Sequence, residues 1–151
     1  MRWRHHKPRI DAGPAGSILG GLKTLNQTER RKMATEKEKI VRHGVTRRWS
    51  DAVVFGGVAY FVEVPDDETL PPGDQFKQVL EQVDARLAML GSDRERLLQV
   101  MVYLPQPSNL QMFNELWDAW VPQGHAPSRA CIHAQLASTG YQIELVITAA
   151  I

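Results

Sequence analysis

"PSRACIHAQL", residues 127–136, repeats with a period of two. That period belongs to a strand, whose successive side chains point to opposite faces. One face takes Ala130, Ile132, Ala134 and Leu136, an ordinary apolar core set. The other takes Arg129, Cys131, His133 and Gln135, a polar row that a buried strand does not need. Ser138, Thr139 and Gly140 then punctuate the chain, and the apolar strand "YQIELVITAAI" follows from residue 141. Two strands about a short turn predict an antiparallel hairpin. With Leu136 opposite Tyr141, His133 faces Glu144, Cys131 faces Val146 and Arg129 faces Thr148. Directly opposed residues share a face, so this register gathers Arg129, Cys131, His133 and Glu144 on one surface. A slip of one residue would send Glu144 to the other side.

Upstream, "KIVRHGVT" (39–46) reads as a first strand with Ile40 and Val41 as its apolar pair. "DAVVFGGVAYFVEVP" (51–65) reads as two strands about a Gly56-Gly57 hairpin turn. Phe76, Val79, Leu80, Val83, Leu87 and Leu90 fall on one helical stripe, stopped by Gly91. "RLLQVMVYLP" (96–105) is a strand ended by Pro105. Ser108 and Gln111 have the spacing of a capping box for a second helix, on which Leu110, Phe113, Trp117 and Trp120 share a face. The predicted order is β-β-β-α-β-α-β-β: an α+β fold, a six-stranded mixed sheet with two helices on one face. The second face needs another cover, and self-association supplies it.

The 151 residues are 43% hydrophobic and 23% charged, which suits one globular domain with an extra tail. No apolar run approaches the ~18–20 residues that span a bilayer. A single cysteine excludes an internal disulfide framework, and cytoplasmic is the default localisation. Residues 1–32 hold eight Lys/Arg and two Asp/Glu, a balance of +6; residues 33–151 hold ten and fifteen, a balance of −5. Residues 1–38 are therefore expected to be a disordered basic extension, with the folded domain over 39–151. An acidic domain argues against nucleic acid as a partner.

Together these residues carry a resemblance. "HAPSRACIHAQL", followed fifteen positions after Arg129 by Glu144 in "YQIELVI", resembles the C-terminal signature of the Rid family, the reactive intermediate (enamine/imine) deaminases. "RRWSDAVVFGGVAYFVEVP" resembles the family's N-terminal strands, and "FNELWDAWVPQGHAP" its second helix and the loop after it. The resemblance covers residues 39–151. It implies a chorismate-mutase-like fold and a homotrimer with ligand clefts between subunits. It implies hydrolysis of 2-imino acids or their enamine tautomers, such as 2-iminobutanoate, to 2-keto acids and ammonia.

On that resemblance Arg129 binds the substrate carboxylate through its guanidinium fork. Glu144 positions and activates water. Cys131, Asn114 and Trp49 line the cleft, with Cys131 as a packed thiol rather than a nucleophile. No metal, nicotinamide or flavin is implied, and none has a motif; Cys131 and His133 alone are too few for zinc. Two positions depart from the family pattern. Trp49 stands where a tyrosine is frequent, which keeps an aromatic wall without a phenol. Glu63 stands where glycine is frequent, and it can either crowd the pocket or point away. The alternative reading is a non-catalytic trimer that binds a small carboxylate metabolite, for which Arg129 would serve and Glu144 would not.

Overall fold

The computed structural model describes residues 26–37 and 39–151. The first 25 residues, with His5 and His6, lie outside the described residues. Within the basic extension, helix α1 spans Gln27–Lys37, where no regular element was expected. It has no apolar stripe to announce it. Its start is held by a reciprocal pair: the Glu29 backbone N–H donates to Asn26 Oδ1 at 2.8 Å, and the Asn26 N–H donates to Glu29 Oε2 at 3.0 Å.

The remaining elements follow the expected order: β1 (Val41–His43), β2 (Ala52–Phe55), β3 (Val58–Glu63), α2 (Pro72–Met89), β4 (Leu97–Leu104), α3 (Leu110–Trp120), β5 (Ser128–His133) and β6 (Glu144–Ala150). Gly56 and Gly57, at φ 64° and 80°, make the β2–β3 hairpin turn. Both conformations match the primed turn that the right-handed twist of paired strands prefers. Gly91, at φ 74°, ends α2 in the left-handed region. The capping box at Ser108 and Gln111 does not form. A short 3-10 turn, Pro107–Asn109, leads into α3, Asn109 caps it without a side-chain bond, and the Gln111 amide donates to Glu115 instead.

The sheet order is β1-β2-β3-β6-β4-β5, antiparallel throughout except for the parallel pair β4–β5. This overturns the expected β5–β6 hairpin. Parallel neighbours need a crossover, and α3 provides it between β4 and β5. The loop after β5 then carries the chain past β4, and β6 inserts between β3 and β4. The reason lies in the two strands. β6 buries Leu145, Ile147 and Ala149 on one side of its pleat and gains ladder partners on both edges at the centre of the sheet. β5 carries the polar row, which an edge tolerates.

Both helices cover one face. Phe76, Val79, Leu80, Val83 and Leu87 of α2, with Phe113, Trp117 and Trp120 of α3, are buried against Ala59 and Phe61 of β3, Val100, Val102 and Leu104 of β4, and Leu145, Ile147 and Ala149 of β6. Within residues 39–151 no element covers the other face, and its Phe55, Tyr60, Val62 and Ile132 are exposed. Gln75 is buried and ties the two loops at one end of the sheet together. Its amide donates to the carbonyls of Glu68, Leu70 and Gly140, and its Oε1 accepts from the Gln142 N–H. The chain just before Glu144 is thereby fixed to the start of α2.

Candidate active site

The pairing of β5 with β4 reverses the expected faces of residues 127–136. Arg129 lies beside Val100 and Cys131 beside Val102, both on the helix-covered side. Ala130 and Ile132, expected in the core, face the open side, where Ile132 is 41% exposed. Of the polar row, Arg129 is thus tucked under α3.

Helix α3 makes a seat for Arg129. Phe113 and Trp117, spaced i, i+4, turn the same face toward the sheet. The Arg129 guanidinium lies 5.1 Å from the Phe113 ring centre and 4.8 Å from that of Trp117. Each such contact stabilises by ~0.5–2 kcal/mol, more when desolvated. Between the two rings in sequence, Asn114 accepts a 3.0 Å hydrogen bond from Arg129 Nη2. Arg129 Nε is buried without a partner, so an incoming anion meets the terminal nitrogens. Burial pulls the guanidinium's proton affinity down, with Cys131 and Asp118 opposing the shift; an arginine stays charged nonetheless. A cation immobilised in this way loses little further entropy when it takes a carboxylate.

Cys131 is half-buried two residues on, and burial pushes its thiol up against the smaller, opposite influence of Arg129. It is a thiol at neutral pH rather than a nucleophile. His133 is exposed, and its Nδ1 stands 3.3 Å from the Leu104 carbonyl oxygen.

Glu144 does not join this row. Arg129 is level with Val100 and, through it, with Ile147; Glu144 lies three residues from Ile147. Three is odd, so Glu144 points to the open face. Within one chain the two Cα positions are separated by two strand spacings and three residues, or ~14 Å, before the opposite directions of the side chains are counted. Glu144 is half-buried in an open-face pocket of about 270 Å³, which it lines with Tyr103, Gln135, Leu136 and Val146.

Trp49 is farther off still. It sits in the turn between β1 and β2, the opposite edge of the sheet from β5, at least four strand spacings or ~19 Å away. Thr46 Oγ1 holds that turn by accepting from the N–H groups of Arg48 and Trp49, and the Trp49 side chain is 59% exposed.

Glu63 lies on the helix-covered side of β3. It is buried under α2 and paired with Arg86 at 2.8 Å, while Asp51 approaches the same arginine at 4.0 Å. Burial raises its pKa, and the Arg86 bond and charge offset that only in part. Of the residues singled out in the sequence, then, Arg129, Cys131 and Asn114 converge, and Glu144 and Trp49 stand apart. The aromatic seat of Arg129 and the place of Tyr103 were not foreseen. The i, i+4 aromatic pair was visible, but only the β4–β5 pairing brings an arginine to it.

A six-stranded α+β sheet with two helices on one face and an arginine seated beneath the second helix defines a chorismate-mutase-like, Rid-like domain. Residues 40–151 match the family described as Endoribonuclease L-PSP, and the chain belongs to that family, the YjgF/Rid group. It is 42% identical over 113 residues to a RutC family protein of Haemophilus ducreyi, covering 74% of this chain and 97% of that relative. The RutC family protein YoaB of Escherichia coli is 35% identical over 112 residues, covering 74% and 98%. Among solved structures, a member of the YjgF family from Neisseria meningitidis superposes with a TM-score of 0.72 at 36% identity, covering 76% of this chain and 96% of that one.

Proposed function

We propose that this protein hydrolyses reactive 2-imino acids and their enamine tautomers, 2-aminoacrylate-like compounds among them, to 2-keto acids and ammonia. Its activity is then that of a 2-iminobutanoate/2-iminopropanoate deaminase-like hydrolase. The observation that carries the reading is the seated guanidinium of Arg129, which awaits a carboxylate with its geometry already set.

Arg129 holds the substrate carboxylate and so fixes the adjacent iminium carbon. Glu144 accepts a proton from water as the water oxygen bonds to that carbon and the C=N π pair moves to nitrogen. The carbinolamine nitrogen takes the proton back from Glu144. Glu144 then takes the hydroxyl proton, and the C–N bond breaks with its electron pair on nitrogen; the keto acid forms, and Glu144 returns that proton to the departing ammonia. The net change is iminium plus water to keto acid plus ammonium.

Arg129 and Glu144 lie on opposite faces of one chain, so a working cleft needs two copies. The β5 edge of one, with Arg129, Cys131 and Asn114, meets the end of another that carries Glu144 and Trp49. A homotrimer with its open sheet faces turned inward meets this need and covers Phe55, Tyr60, Val62 and Ile132. Cleavage of RNA fits the chain less well, because residues 33–151 carry −5.

The test is an imine trap. An amino acid oxidase generates 2-imino acids, semicarbazide captures them, and the full chain competes with the trap beside Arg129→Ala and Glu144→Gln. Lower trapped product with the wild type and no effect of either variant, at wild-type oligomer mass, supports the reading. No competition across several imines, with a keto acid still bound through Arg129, replaces the enzyme with a carboxylate binder.

A further inference from the structure

Tyr103 stands directly across from Glu144 in the β4–β6 ladder. Directly opposed antiparallel partners share a face with Cβ atoms ~4.5–5.5 Å apart. On its other side, in the β4–β5 ladder, Tyr103 is level with Ile132. Of these two neighbours only Glu144 is polar. Tyr103 is half-buried and lines the same open-face pocket as Glu144, with Ala134, Leu136 and Val146 as apolar wall. Both side chains line that pocket, which brings a phenol and a carboxylate to one cavity. A phenol O–H is a hydrogen-bond donor.

We infer that Tyr103 is a further catalytic residue, donating its O–H to the oxygen that water brings to the imine carbon. The inference rests on the proposed hydrolysis and names the second group on that oxygen. Glu144 takes the water's proton, and Tyr103 stays neutral throughout. The oxygen accumulates negative charge as the carbinolamine hydroxyl loses its proton, ahead of C–N cleavage. A donor placed on it stabilises that transition state more than the bound iminium. The same oxygen is the keto oxygen of the product, so Tyr103 also recognises a 2-keto acid over the plain carboxylate.

Tyr103→Phe keeps the ring and removes the donor. In the imine trap, kcat is expected to fall by about 10- to 100-fold with KM nearly unchanged, at wild-type oligomer mass. A second readout needs no turnover. Calorimetric binding of 2-oxobutanoate is expected to weaken by about tenfold in the variant, and binding of butanoate, which lacks the keto oxygen, to stay as in the wild type. Hydrolysis by the wild type with an unchanged kcat in Tyr103→Phe would overturn the assignment and leave the proposed function standing. A wild type that fails the trap, with keto selectivity still lost in the variant, would overturn the hydrolysis while supporting Tyr103 as the contact to that oxygen. Equal affinity of both proteins for both acids would overturn the contact.

Discussion

Mixing two inactive variants should restore activity. Arg129→Ala lacks the carboxylate anchor and keeps Glu144; Glu144→Gln lacks the water-activating group and keeps Arg129. Loss of a positioned general base lowers a rate by ~10²–10⁴-fold, so the Glu144→Gln oligomer should retain about 1% of wild-type activity or less. Because the two side chains point to opposite faces of one sheet and start ~14 Å apart, the proposed cleft would draw one residue from each of two neighbouring copies. In oligomers assembled at random from equal amounts of the variants, one ordered pair of neighbours in four combines an intact Arg129 with an intact Glu144. Recovery of about a quarter of wild-type activity follows, for any closed ring in which each cleft uses one ordered pair of neighbours. That is at least about 25-fold above the Glu144→Gln floor. The assay is the imine trap after joint refolding of the two variants, with native mass spectrometry to count mixed species. Mixed oligomers that stay at the level of the single variants would show that both residues act within one chain, and the face assignment made from strand parity would be wrong.

Two further outcomes follow from buried groups. Burial raises the pKa of Glu63 in the folded chain above its unfolded value, so the stability that this group contributes is full below the ordinary carboxylate range and is lost as pH rises through the raised pKa. The stability of the wild type relative to Glu63→Gln should therefore decline as pH rises from the ordinary carboxylate range upward. Urea unfolding across that range measures it, and a relative stability that rises with pH would refute burial as the dominant influence on Glu63. The thiol of Cys131 is pushed up by burial, so alkylation by iodoacetamide should be slow at neutral pH and accelerate only above the range of an ordinary cysteine. Rapid labelling at pH 7 would mean a thiolate, and a nucleophilic role would have to be reconsidered.

What was legible in the sequence divides along physical lines. The stripe Phe76–Leu90, the Phe113/Trp117/Trp120 face and the Gly56-Gly57 turn are local: each depends on spacing within one element, and each is found in place. Helix α1 escaped because its signal is propensity and a capping pair, with no apolar stripe to count. The partner of β5 escaped because pairing is not local. Adjacent strands about a Ser-Thr-Gly turn are compatible with a hairpin, and only competition for the centre of the sheet, where β6 gains ladder partners on both edges, moves β4 between them.

That displacement has a consequence larger than one strand swap. Had β5 paired with β6 as a hairpin, Arg129 and Glu144 would share a face and a single chain would hold the whole site. With β4 inserted, the offset between them becomes odd and the pleat sends them apart. The residues that pair in the signature are then distributed between the two sides of the sheet, one beneath the helices and one on the face where Tyr60, Val62 and Ile132 are exposed. Covering that face and completing the site are, on this reading, the same event. Stability and activity should therefore be lost together when the oligomer is diluted apart, because the surface that drives association is the surface that holds Glu144 and Tyr103.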